Sequence, residues 1–208
     1  MRRIVLIVML IMGVMVLGCS KEKPEEKKPK SLPSAVNPYS PGGVFYQVKE
    51  QLKKDPNNPQ LLYHLADLYE RAEVYDKEVE LLKKVIKLKP DMGYAYCKMG
   101  MALNRLKKYE EAVDSFKKCI KRMPKFAVAY NNIAYSYGRL GKLDKQIKAL
   151  EKAVQLRPSY ATARLNLGIA YLKAGRIKDA MAQYEALKEL HTGFAEALLR
   201  EIKKKGGA

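Results

Sequence analysis

Four prolines, Pro56, Pro90, Pro124 and Pro158, stand thirty-four residues apart, and no other feature limits the fold of this chain so much. A fixed period of this length means one supersecondary unit repeated, each copy burying its apolar face against its neighbours. The text between prolines recurs most legibly in 127–158 (AVAYNNIAYSYGRLGKLDKQIKALEKAVQLRP) and 93–124 (GYAYCKMGMALNRLKKYEEAVDSFKKCIKRMP). Each unit is numbered here from the third residue after its proline. Large apolar residues then recur at positions 4, 7 and 11, the spacing of one helix face. They are Leu62, Leu65 and Tyr69, then Tyr96, Met99 and Leu103, then Tyr130, Ile133 and Tyr137. A second stripe follows a short break that contains Gly141 or Gly175: Leu82 and Val85, Phe116 and Cys119, Leu150 and Ala153, Tyr184 and Leu187. Small residues hold position 8 (Ala66, Gly100, Ala134, Gly168), where a missing side chain lets two helix backbones approach. The proline ends the second helix, because it donates no backbone bond and disfavours helical geometry in the residue before it.

At these residues, from Pro59 to about Gly193, the chain resembles the tetratricopeptide repeat family. The resemblance implies an all-α, right-handed solenoid of antiparallel helix pairs. Four full repeats would occupy 59–92, 93–126, 127–160 and 161–194, with a concave groove lined by the first helices. Three positions depart from the pattern: Arg164 replaces the apolar residue at position 4, Glu78 and Gln146 replace the small residue at position 20, and Thr192 replaces a fifth proline. Val44, Val48 and Gln51 match positions 20, 24 and 27 of an incomplete unit. A helix over about 44–54, within 42–58, is therefore expected to cap the first repeat. A second capping helix is expected from about 194 to 205, so that 195–208 forms the C-terminal cap and tail. Such covers are what a stack of units with apolar faces requires.

Residues 1–18 read as a signal peptide. Arg2 and Arg3 precede an apolar run from Ile4 to Leu17, too short to span a bilayer, which takes about 20 residues. The ending VLGC resembles the bacterial lipoprotein box, which implies that Cys19 is lipidated and becomes the N-terminus. The alternative is an ordinary secretory signal. Three acyl chains on Cys19 would make a permanent membrane tether, since two or more chains anchor stably where one does not. Ser20 after the cysteine implies outer-membrane sorting, facing the periplasm, in a Gram-negative host. The rest of 19–41 holds five prolines, mixed charge and little apolar content, so it reads as a linker reaching roughly 70 Å when semi-extended.

No catalytic pattern is legible. His64 and His191 lie on different repeats without a partner at metal-ligand spacing, and the chain has no glycine-rich phosphate loop and no nucleophile elbow. The expectation is a non-enzymatic chain with no cofactor and no metal. Cys97 at position 5 is placed on the groove side and Cys119 at position 27 against the partner helix. An oxidising compartment would permit a bridge, but the two directions favour free thiols.

Function is expected in the groove, at positions 2, 5, 6, 9, 12 and 13 of the first helices. Position 6 runs His64, Lys98, Asn132, Asn166. An asparagine both donates and accepts, so a ladder of them suits successive amides of an extended peptide. Asn132 and Asn166 resemble the asparagine ladder of peptide-binding family members. Tyr63, Asp67, Tyr94, Met101, Arg105, Asn131, Tyr135, Arg139, Leu165 and Ile169 complete the candidate site, in types enriched at interfaces. The clamp for chaperone C-termini is excluded, because Tyr63 and Asp67 replace its lysine and asparagine.

The net charge of +18 is concentrated over the middle repeats, with Lys117, Lys118, Lys121, Lys148 and Lys152 on second helices. This reads either as a solvated convex face or as attraction to acidic proteins, anionic lipid or glycan. Nucleic acid is not expected for a secreted chain. The sequence therefore predicts a membrane-anchored scaffold that binds another envelope protein or peptide, by resemblance in assembly of a pilus secretin. An accessory subunit of a peptidoglycan enzyme and a self-associating stack are the alternatives.

Overall fold

The computed structural model describes residues 42–206, so the leader, Cys19 and the linker lie outside the described residues. Among the described residues ten helices follow one another: α1 (Val44–Lys54), α2 (Pro59–Arg71), α3 (Tyr75–Leu88), α4 (Gly93–Arg105), α5 (Tyr109–Arg122), α6 (Ala127–Arg139), α7 (Leu143–Leu156), α8 (Ala161–Lys173), α9 (Ile177–Leu190) and α10 (Thr192–Gly206). Each packs on the next, and α10 also covers α8. The core is one continuous cluster that runs from Phe45 and Val48 of α1 to Leu198 and Ile202 of α10.

The turn inside each repeat is the same device four times. Position 15 is left-handed in every copy: Glu73 (φ 57°), Lys107 (61°), Gly141 (70°) and Gly175 (75°). The next amide then reaches back five residues, as in Val74 N–H to Tyr69 O and Lys108 N–H to Leu103 O, both 2.9 Å. This closes the first helix with a Schellman motif and aims the second helix back along it. Between repeats the carbonyl of the periodic proline is held by a side chain. Tyr130 Oη donates to Pro124 O (3.1 Å), Arg164 Nε to Pro158 O (2.7 Å) and Arg122 Nε to Pro90 O (2.6 Å). Arg164 thus replaces a tyrosine at position 4 without losing the bond that tyrosine makes in the preceding repeat.

The other departures have separate outcomes. Gln146 at position 20 lies over Gly138, where a Cβ would come within 2.7 Å of its amide nitrogen. The larger residue on one helix is matched by a missing one on the other. Thr192 removes the proline stop: only His191 separates α9 from α10, whereas four residues separate α3 from α4. α10 therefore starts early, with an added turn.

The cysteines differ from expectation. Cys97 and Cys119 form a disulfide between α4 and α5, with Cα atoms 5.2 Å apart. Cys97 lies one turn before Gly100, whose face meets Phe116 so closely that a Cβ would sit 2.8 Å from the ring. Because α5 runs antiparallel to α4, the residue one turn after Phe116, Cys119, falls opposite Cys97. Position 5 turns inward beside position 8, and Cys97 is buried rather than on the groove surface.

Candidate functional site

The first helices α2, α4, α6 and α8 carry the candidate residues in register, so one position on each makes a row across the stack. Position 9 reads Asp67, Met101, Tyr135, Ile169. Met101 is 40% and Tyr135 48% exposed, and Tyr94 on the same side is 55% exposed, so three large apolar side chains stand open on α4 and α6. Tyr109 at the start of α5 supports the middle of this row. Its ring lies edge-on to Tyr135 (centroids 6.4 Å) and the guanidinium of Arg139 lies 5.1 Å from its centroid. Sequence reasoning missed Tyr109 because it belongs to a second helix; only the packing of one repeat on the next brings it under the groove.

The first two repeats meet in an ionic cluster. Lys98 Nζ lies 2.7 Å from Asp67 Oδ1 and also pairs with Glu70, leaving the lysine side chain 13% exposed. Burial works against the Lys98 charge, but these carboxylates outweigh it and hold its pKa above the ordinary value. Tyr63 packs beside them, with the lysine 5.9 Å from its ring, and burial raises its hydroxyl pKa. Beneath lies Glu78, 1% exposed, with both carboxylate oxygens lacking a hydrogen-bond partner. Burial first, and then the charge of Glu70, push its pKa up to about 8. Lys98 and Asp67 are therefore committed to each other, while His64 stands exposed.

The asparagines also bond among themselves. Asn166 Nδ2 donates to Asn131 Oδ1 (2.9 Å), and Asn131 Nδ2 donates to Asn132 Oδ1 (3.4 Å). Asn131 is buried, at the inward position 5 shared with Cys97, while Asn132, Leu165, Asn166 and Ile169 are half-buried. Arg105 and Arg139 at position 13 are exposed. Arg71 and Lys173 stand at the same position in the outer repeats and are exposed too, a row legible from the register alone. Among the described residues no group of three or more His, Cys, Asp or Glu side chains could hold a metal, and no helix is long and apolar enough to cross a membrane.

Four family models match the chain: three named tetratricopeptide repeat, at 59–92, 93–126 and 162–192, and one named TPR repeat, at 139–175. The chain is a tetratricopeptide-repeat protein. Solved structures agree with this assignment. A crystal structure of MamA is 26% identical with a TM-score of 0.68, over 80% of this chain and 91% of that one. MamA from Desulfovibrio magneticus RS-1 gives 26% and 0.68, over 72% and 85%. YrrB, described as a TPR protein with an unusual peptide-binding site, is 16% identical with a TM-score of 0.63, over 76% and 91%, a likeness of fold alone. No curated protein matches the chain in sequence. Tetratricopeptide repeats are protein-interaction scaffolds.

Proposed function

We propose that this repeat protein is a membrane-anchored, non-enzymatic adaptor that holds a peptide or protein of the cell envelope in its concave groove. The observation that carries the reading is the set of exposed large apolar side chains on first helices, Tyr94, Met101 and Tyr135, flanked by Asn132 and Asn166. Side chains of these types become buried when a partner is bound. The Cys97–Cys119 disulfide supports an oxidising compartment, since such bridges persist outside the reducing cytosol. It agrees with the leader over 1–18, whose resemblance to the lipoprotein box implies lipidation of Cys19 and, in a Gram-negative host, an outer-membrane position facing the periplasm. Assembly of an envelope complex such as a pilus secretin fits this placement by analogy of architecture.

Affinity capture from envelope extract tests the reading, with the native protein beside an Asn132→Ala, Asn166→Ala, Tyr135→Ala variant. A partner recovered by the native protein and lost with the variant supports the groove. The same set recovered by both would move function to the convex face or the lipid anchor. Turnover of a cell-wall substrate by the purified protein would overturn the non-enzymatic assignment.

A further inference from the structure

Resting on the groove reading, we infer that the occupant is an extended acidic peptide with a carboxylate at every third residue and an apolar side chain in the same period. The basis is the combination of two parallel rows. Position 9 supplies Met101, Tyr135 and Ile169, and position 13 supplies Arg105, Arg139 and Lys173. Four helical residues separate the rows, about 6 Å along each helix axis. All three cations are exposed, and among the described residues none forms an ion pair; Arg139 leans on Tyr109, which leaves its edge available to an anion.

The groove of the last three repeats contains no acid to neutralise them. Its positions hold Tyr94, Cys97, Lys98, Met101, Asn104 and Arg105 on α4, and on α6 and α8 only apolar, amide, hydroxyl and basic side chains. The acids of the groove are gathered at the first repeat, where Asp67 and Glu70 are occupied by Lys98. Arg71 continues the row into the first repeat, but there Asp67 and Glu70 share the groove, so the part free of acids spans three rungs. The convex lysines differ: several are engaged along their own helix, as Lys117 is by Asp114 and Lys152 by Gln155.

The spacing sets the period of the ligand. Packed helices lie roughly 8–10 Å apart, and α4 touches α6 directly. An extended polyproline II segment rises about 3.1 Å per residue with three residues per turn, so every third side chain recurs on one side after about 9 Å. A carboxylate every third residue then meets Arg105, Arg139 and Lys173 in turn, while an apolar side chain in the same period lies along Met101, Tyr135 and Ile169. Roughly nine residues fill the three rungs.

The test uses the full chain and end-blocked dodecapeptides of repeating Glu-Ser-Leu, Gln-Ser-Leu and Lys-Ser-Leu, with binding read by fluorescence anisotropy. Glu-Ser-Leu is expected to bind at least tenfold more tightly than Gln-Ser-Leu, with an affinity that falls as salt rises. An Arg105→Gln, Arg139→Gln, Lys173→Gln variant should lose that preference while still binding the neutral peptide. A charge-matched Lys117→Gln, Lys121→Gln, Lys148→Gln variant should keep it. Equal affinity for all three peptides, lost on Tyr135→Ser, overturns the acidic assignment and leaves the groove reading intact. Binding indifferent to Tyr135→Ser but lost in the convex variant overturns both, and no binding by any peptide overturns the acidic assignment.

Discussion

Glu78 gives the sharpest test of the packing. In two other repeats the same position holds alanine, Ala112 and Ala180, fully buried against the first helix. Glu78 places a carboxyl group there with neither oxygen bonded, beside the acids Glu70 and Asp67. The folded protein therefore favours the protonated acid, with a pKa pushed from 4.5 to about 8. The sign follows from proton counting: between these values the native state binds more protons than the unfolded chain, so stability falls as pH rises through the window. At about 1.4 kcal/mol per unit, the full shift corresponds to roughly 5 kcal/mol. Movement of the side chain toward water lowers this, so a loss on the order of 2–4 kcal/mol is expected between pH 5 and 8.5. Glu78→Gln keeps the shape and removes the titration. Denaturant unfolding of both proteins across this range, plotted as the difference in stability, cancels every other titrating group that is unchanged. The variant should gain on the native protein steadily as pH rises and level off above about 8. A flat difference curve would refute the reasoning, since it would mean that Glu78 is solvated or paired in the folded state.

Three further outcomes are expected. Glu73→Gly and Lys107→Gly should each stabilise the protein by about 0.5–1 kcal/mol in chemical denaturation, because both residues hold the left-handed turn that glycine occupies in repeats three and four; Gly141→Ala should cost about 1 kcal/mol, and gains and losses of the opposite sign would remove the turn argument. Reduction of Cys97–Cys119, which closes a loop of sequence separation 22, should lower stability by roughly 3 kcal/mol, read as a fall in the denaturant midpoint on adding dithiothreitol. Gly100→Ala should destabilise by about 1–3 kcal/mol, since its Cβ would lie 2.8 Å from Phe116, and Phe116→Leu in that background should recover part of the loss in a double-mutant cycle.

The proline period made the fold legible, because a repeated unit must bury the same positions in every copy. Leu62, Leu65 and Ala66 are buried, and so are Met99, Gly100 and Leu103. What escaped was direction within the helix pair. Cys97 and Asn131 share position 5, which a simple division of the helix assigns to the groove, yet the close approach at position 8 draws both inward. Lys98 belongs to the asparagine row by register, but two acids from the preceding repeat engage it, a pairing set by how the repeats stack rather than by any local motif. Tyr109 was hidden for the same reason. The basic row at position 13 was available in the text and is found only by reading one position down all four copies.

The bridge between α4 and α5 also makes one pair of helices unable to separate while the rest of the stack can. In a linear stack each unit is held only by the units beside it, and loosening normally enters from the ends. Joining the two helices of the second repeat covalently places a fixed rung near the front of the ladder, which separates α1–α3 from the rest. Fraying from the α10 end then has five helices to cross before it meets the bridged pair, against three from the other end. Oxidation thus gives a symmetric-looking array a beginning.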